Sequence, residues 1–415
     1  MANREQIVTG LDIGSTHIRV VVGQINPENQ TPKIIGVGQA EATGIRKGVL
    51  IDVEEVVSSM SAALEQAERM AGVPIEHAVV SIGDEHVSSE ITHGVIAISK
   101  TDGEVTEDDV SRAIEAAQTV TVPANKEILH IIPKTFTVDD QKGIKDPVGM
   151  IGVRLEVEAL IIYGMSAMIK NISKAIYRTG VEIDDLVLSP LAAATSVVSK
   201  RQKELGIAVI DIGGGTTGLA VFEEGDLLHT ALLPIGSMNI SNDLAIGLRT
   251  SVDVAEKVKV EYGYAFSDEV DKSEEIDLQK IDTQEEGTVS KHDVAMIIES
   301  RVEEIFEHVD AELRKVERSA KLPAGILLVG GGAKLPGIVD VAKQKLKLSA
   351  QVAFPTQFPI TVDKVDDPSF ATALGLILWE IESQKVGGKK LKSSFKVMPK
   401  DLPDKMKKIF KSFMP

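Results

Sequence analysis

Two segments of this chain place an aspartate just before a turn of small and hydroxylated residues. The first reads Asp12-Ile13-Gly14-Ser15-Thr16, and the second Asp211-Ile212-Gly213-Gly214-Gly215-Thr216-Thr217. Backbone N–H groups in such a turn can approach phosphate oxygens, and the hydroxyls add donors. The aspartate is too negative to touch phosphate itself. It suits a water-mediated partner of Mg2+, an ion that keeps several of its waters when bound. One such turn alone reads equally well as an ordinary hairpin with glycine at positive φ. Two matching turns, 199 residues apart and each behind an aspartate, argue for two similar domains that face each other.

A third glycine cluster is Gly330-Gly331-Gly332, which ends the apolar run Leu327-Leu328-Val329. A flat purine or a ribose could lie against such a backbone, although glycines at a strand–helix junction also serve packing. Glu256 and Lys259 stand three apart in Ala255-Glu256-Lys257-Val258-Lys259, so one helical turn puts both on one face. The plain alternative for that pair is a surface ion pair. Gly213-x-Gly215-x-x-Gly218 matches the dinucleotide fingerprint in letters only. That motif demands a helix next, and Leu219-Ala220-Val221-Phe222 reads as a strand. There is no phosphate-binding G-x-x-x-x-G-K-[ST] segment and no G-x-S-x-G elbow, and the 8 histidines form no zinc-type spacing.

The elements that must hold these residues follow from periodicity. Residues 6–25 read as two strands around the first turn. Residues 53–71 follow a helical period closed by Gly72. Residues 84–160 change texture: short alternating strands surround one helix that starts near Thr106, as in a small inserted α+β module. A helix over 166–180 follows, then the second hairpin from Leu205 to Asp226. Helices are expected at Ser237–Leu248, Ser251–Tyr262, Ser290–Ser319 and Pro368–Ser383, with surface loops over 266–290.

The chain has 415 residues, of which 43% are hydrophobic and 26% charged, and no cysteine. That composition suits a globular body of two to three domains and excludes disulfides and thiol chemistry. The short polar start, Met1 to Val8, leads us to expect no secretory signal. No run of 18 apolar residues is present, so no membrane-spanning helix is expected. The net charge of −17 divides unevenly: the last 31 residues contain ten Lys and two Asp, which is +8, and leave −25 for the rest. An acidic body is a poor partner for nucleic acid. In the tail, Met406, Ile409, Phe410, Phe413 and Met414 recur at helical spacing, with Lys405, Lys407, Lys408 and Lys411 on the other face or its flanks. This is the pattern of an amphipathic helix on an anionic membrane. A solvated basic tail, or a helix docked on the body, is the alternative.

The order and spacing of the three glycine clusters resemble the actin/Hsp70/sugar-kinase ATPase superfamily. Ser81-Ile82-Gly83-Asp84-Glu85-His86-Val87, His130-Ile131-Ile132-Pro133 with Phe136, and Pro147-Val148-Gly149-Met150-Ile151-Gly152-Val153-Arg154-Leu155-Glu156 look like the FtsA family of bacterial cell-division proteins. The resemblance implies an α/β, actin-like two-domain ATPase fold of duplicated RNase H-like domains, with an inserted α+β subdomain and a C-terminal amphipathic helix. It implies subdomains at 1–83 with 164–195 and 366–384, at 84–163, at 196–236 with 320–365, and at 237–319. A linker at 385–403 and a membrane helix at 404–415 would follow. ATP with Mg2+ would be held by Asp12, Gly14, Ser15, Thr16, Asp211, Gly213 to Thr217, Gly236, Glu256, Lys259 and Gly330 to Gly332. The metal would sit near Asp12 and Asp211 through water. Hydrolysis is left open, at most a weak ATPase.

The implied partners are the C-terminal tail of the tubulin-like FtsZ, further copies of the chain head to tail, anionic phospholipid and later division proteins. The implied place is the cytoplasmic face of the cell membrane at the division site. Lys291 and Arg301 match positions on the family's FtsZ-docking helix, and an intrahelical pair with Glu304 is the alternative for Arg301. Other members of the superfamily, a sugar or acid kinase or a pilus-assembly protein, are the competing functions. No substrate-side carboxylate motif supports the kinase, and the basic tail speaks against the pilus protein.

Overall fold

The computed structural model describes residues 6–26, 31–119, 123–355 and 362–386. The chain begins with β1 (Gln6–Ile13), β2 (His17–Ile25) and β3 (Pro32–Glu41). A small hairpin, β4 (Ile45–Arg46) and β5 (Val49–Leu50), leads to α1 (Val53–Ala71) and β6 (His77–Ile82). Asp52 caps α1 by accepting from the amides of Glu54 and Glu55, and left-handed Gly72 ends it. Val56, Met60, Ala63, Leu64 and Ala67 form its buried stripe.

The inserted module is β7 (Ser88–Ala97), α2 (Glu107–Thr119), β8 (Lys126–Val138), β9 (Gln141–Ile144) and β10 (Arg154–Met165). Its sheet runs β7-β10-β8-β9, and Ala113, Ile114 and Ala117 of α2 join its core. The chain returns through α3 (Ser166–Arg178), β11 (Glu182–Leu188), α4 (Ser189–Val197) and α5 (Lys200–Leu205).

The second half contains β12 (Ile207–Ile212), β13 (Thr217–Glu223) and β14 (Asp226–Leu233), then α6 (Ser237–Leu248) and α7 (Val252–Tyr262). It continues with β15 (Glu275–Asp277), β16 (Thr288–Ser290), α8 (Lys291–Lys315), β17 (Ile326–Val329), α9 (Ile338–Leu346), β18 (Ala350–Val352) and α10 (Ala371–Val386).

Two five-stranded sheets result, ordered β3-β2-β1-β6-β11 and β14-β13-β12-β17-β18. In each, three antiparallel strands are followed by two parallel ones. The repeat extends to single pairs: Ile13 lies opposite Ile18 as Ile212 lies opposite Thr217. The two sheets are therefore copies of one design. Helix α4 is buried on all sides because it lies in the interior, its Leu191, Ala193, Ala194 and Val197 packed on the second sheet.

Three sequence expectations change. The segment 266–290 is not all loop, because Ile276 and Leu278 are buried and anchor the β15–β16 pair to the second core. Helix α8 stops at Lys315, short of Ser319, since Glu317 (φ 59) and Ala320 (φ 55) turn left-handed. The helix expected from Pro368 opens with a 3-10 turn, Pro368–Phe370, capped by Asp367, before α10. Strands β3, β6, β11 and β14 and helix α4 were not expected from the pattern. The strands lack a clear alternation, and α4 has no exposed face to give it a period.

Candidate functional site

The two hairpin turns are built alike. The Gly14 amide donates to the His17 carbonyl (3.1 Å), and the Gly213 amide to the Thr216 carbonyl (2.9 Å). The turns face each other closely. A Cβ placed on Gly214 would lie 2.3 Å from Thr16 Cγ2, and one on Gly215 2.7 Å from Ser15 Oγ, so only glycine allows this approach. The amides of Ser15, Thr16, Gly214 and Gly215 donate to no backbone carbonyl among the described residues. Gly236 packs on the carbonyls of Gly213 and Gly214, and these accept from the Ser237 and Met238 amides at 2.8 Å. The amides that open α6 are thus bound to the second turn.

Between the turns lies a cavity of about 550 Å³, whose walls include Asp12, Ser15, Asp211, Gly214, Glu256, Lys259 and Gly330 to Gly332. That volume suits a nucleotide-sized ligand. Asp12 is buried and accepts from Ser81 Oγ at 2.8 Å. Burial pushes its carboxyl up, while Arg19 and Ser81 pull the other way. Asp211 accepts from Thr372 Oγ1 at 3.1 Å. Burial, with Asp12 adding to it, pushes its carboxyl up to about 6.

Sequence reasoning missed the main cation of this cleft. Arg19 pairs across the hairpin with Asp12, at the register position that Gly218 holds opposite Asp211. Its guanidinium lies 5.4 Å from the Phe370 ring centre, and Nε has no hydrogen-bond partner among the described residues. Burial lowers its pKa, and the charges of Asp12, Asp367 and Asp211 oppose that. A charged residue inside the run Ile18-Arg19-Val20-Val21-Val22 was the available signal. A hydroxyl within Val79-Val80-Ser81-Ile82 was the signal for Ser81. His17 also lines the cavity, and burial followed by Arg19 lowers its pKa.

On the far wall, Lys259 Nζ donates to Glu256 (2.6 Å), Ser241 Oγ (2.9 Å) and the Ser237 carbonyl (3.2 Å). The lysine is buried, so this is no ordinary surface pair. Gly330 and Gly332 pack on Asp211 and Ile212 of β12. The structure brings most residues of the expected nucleotide site to one cavity, but Gly215, Thr217 and Gly236 do not line it, and the buried Thr217 Oγ1 donates to the Ile235 carbonyl (2.8 Å).

Lys291 and Arg301 lie elsewhere, on α8. Lys291 bonds Glu274 at 2.5 Å. Arg301 is half-buried and bidentate to Asp243 of α6 (2.5 and 2.9 Å), with a further bond to Glu304 (2.5 Å). The intrahelical pair with Glu304 thus exists, but the larger tie is between helices. The tail residues Lys405, Met406, Lys407, Lys408, Ile409, Phe410, Lys411, Phe413 and Met414 lie outside the described residues. Among the described residues no helix is long and apolar enough to cross a membrane.

A family model for cell division protein FtsA matches residues 208–375, and one for the SHS2 domain inserted in FtsA matches 84–163. The FtsA of Bacillus subtilis is 40% identical over 389 residues, covering 94% of this chain and 87% of that protein. The FtsA of Pseudomonas aeruginosa is 35% identical over 382 residues, covering 92% and 91%. The chain belongs to the FtsA family of cell-division proteins. Among solved structures, the PilM-PilN type IV pilus biogenesis complex gives a TM-score of 0.65 at 16% identity, covering 90% of this chain and 98% of that one. The AMPPNP-bound MreB5 of Spiroplasma citri gives 0.54 at 14% identity, covering 92% and 98%. These likenesses show a shared actin-like fold. The pilus and kinase readings give way to FtsA membership, because the PilM likeness is one of fold alone.

Proposed function

We propose that this FtsA-family chain binds ATP with Mg2+ between its two hairpin turns and tethers an FtsZ ring to the membrane. The observation that carries the nucleotide reading is the pair of equivalent turns on either side of one cavity, with Ser15, Thr16, Gly214, Arg19, Asp12 and Asp211 among its walls. The amides of Ser15, Thr16, Gly214 and Gly215 donate to phosphate oxygens. The hydroxyls of Ser15, Thr16 and Thr216 add donors, and Thr217 Oγ1 instead steadies the turn by donating to the Ile235 carbonyl (2.8 Å). Arg19 lines the cavity, and its guanidinium charge attracts the phosphates. Bound Mg2+ would supply charge neutralisation in this cleft. Asp12 and Asp211 hold its waters, and the raised pKa of Asp211 falls once that cation is near. Glu256 and Lys259 face ribose and base, with Gly330 to Gly332 as the flat wall beneath.

The same reading gives the chain further partners. Copies assemble head to tail through the inserted module, later division proteins join them, and an acidic FtsZ tail docks near Arg301 and Lys291. The basic helix at 404–415 lies on anionic phospholipid at the cytoplasmic face of the division site. One short helix binds reversibly, and a filament that displays many binds firmly.

Co-sedimentation with phosphatidylglycerol-containing vesicles tests the tether, and calorimetry with ATP and Mg2+ tests the cleft. The full chain should pellet with the vesicles. Deleting 404–415 should release it and leave the ATP heat unchanged. Unchanged pelleting would sink the tether, and an absent ATP heat in the full chain would sink the nucleotide reading.

A further inference from the structure

The short hairpin between β3 and α1 carries none of the expected ligand residues, yet its Gly48 lines the cavity, as does Gly83 behind it. It runs from Gly44 to Ile51, and Gly44 (φ 75), Lys47 (φ 50) and Gly48 (φ 75) are all left-handed. Lysine seldom adopts that conformation, so its surroundings hold it there. Three different parts of the molecule provide those surroundings.

The Gly48 amide donates to Ser15 Oγ at 2.9 Å. A hydroxyl that accepts one bond keeps its own proton for another acceptor, so this contact aims Ser15 as a donor. On the opposite side of the cleft, a Cβ on Gly215 would lie 3.0 Å from both Cα and N of Lys47. Behind the hairpin, a Cβ on Gly48 would lie 2.3 Å from the Gly83 carbonyl oxygen and 2.8 Å from Asp84 Cα. Lys47 Nζ also stands 4.0 Å from the Glu85 carboxylate. Residues 83–85 are the root of the inserted module, where β6 ends. Asp84 is buried there, and its carboxylate accepts from the His86 amide at 2.8 Å.

We propose that the 44–51 hairpin is a strap that couples the ligand cleft to the inserted module. It touches both turns and the module root through backbone contacts with no slack. A change in the spacing of the turns therefore displaces Lys47 and Gly48, and they displace residues 83–85. The inference rests on the nucleotide reading, since a ligand that bridges the two turns is what moves them.

Hydrogen exchange on the full chain, with and without ATP and Mg2+, tests the strap in the native protein and in Gly48→Asn. Asparagine tolerates the left-handed conformation, so the variant adds mainly a Cβ that pushes the hairpin off Gly83. In the native chain, ATP should slow exchange over 12–17 and 211–217. It should also slow 44–51 and 82–88 by about fivefold, the effect of one added hydrogen bond. In Gly48→Asn the turns should still be protected, and the response at 82–88 should disappear. An equal response at 82–88 in both proteins overturns the strap. So does a missing response there in a native chain whose turns are protected. Protection of neither turn in the native chain overturns the nucleotide reading itself. Should Gly48→Asn fail to fold, Lys47→Gly relaxes the held backbone and removes the link to Glu85. It is judged by the same loss at 82–88.

Discussion

Replacing Asp211 with asparagine keeps the shape of the side chain and removes its charge. In the folded protein, burial and the nearby Asp12 push the Asp211 carboxyl up to about 6. An unfolded aspartate titrates near 3.9, so the carboxylate costs the fold about 3 kcal/mol at neutral pH. Because Asp211 faces an open cavity, water screening brings this to about 1–2 kcal/mol. The folded state takes up the proton more readily than the unfolded state. The cost is therefore fully present above about pH 6 and gone below about pH 4. The introduced amide would not titrate, and it still offers an oxygen to Thr372. Asp211→Asn should thus match the native chain near pH 4 and exceed it by about 1–2 kcal/mol near pH 7, in ligand-free urea unfolding. Relief of Asp12 acts in the same direction, and Arg19 keeps Asp12 and Asp367 as counter-charges. ATP with Mg2+ at a hundredfold excess over Kd should stabilise the native chain by about 2.7 kcal/mol, and the variant by less. A stability gap that is flat with pH, or a variant that is weaker near neutrality, would refute the electrostatic account of the cleft.

Other outcomes follow from neighbouring geometry. Arg19→Met should weaken ATP by about tenfold to a hundredfold, as loss of a charge-assisted bond does, and leave adenosine unchanged, both read by calorimetry. Asp243→Asn removes one carboxylate from Arg301 and should raise affinity for an acidic FtsZ-tail peptide about threefold by fluorescence anisotropy, the scale of one partly exposed ion pair. His130 is buried, and its Nε2 accepts from the Leu188 amide at 3.0 Å. Burial holds its pKa down at about 4. The unfolded state takes up this proton first, so the contribution of His130 to stability is lost as pH falls from about 6.5 to about 4. One imidazole should titrate near that lower limit in NMR spectra, and a value near 6.5 for all eight histidines would contradict its burial.

The two glycine and hydroxyl turns were legible because each carries its candidate chemistry within a few consecutive residues. Asp12 to Thr16 and Asp211 to Thr217 announce themselves without any knowledge of their neighbours. The glycine cluster at 330–332 and the Glu256–Lys259 pair are local in the same way. Arg19 was not legible, because its meaning depends on a hairpin register that sets it opposite Asp12 and near a second domain. Ser81 and Thr372 are lone hydroxyls in apolar runs, and they gain a role only when distant strands and helices bring the two aspartates to them. Helix α4 escaped because periodicity needs one wet face, and α4 has none. For Arg301 the sequence offered a docking position or an intrahelical pair with Glu304, and its larger partner Asp243 stayed hidden because it lies 58 positions away on another helix.

The two sheets are copies with the same strand order and the same turn. A cleft with identical halves would accept an asymmetric ligand in two opposed orientations and could not distinguish them. Within the two hairpins, one register position breaks that degeneracy, as Glu256, Lys259 and the Gly330 cluster do on the second half alone: arginine stands opposite the first aspartate, and glycine opposite the second. The duplicated scaffold thereby acquires a polarity. A molecule with a charged end and a flat end can be read in one direction only.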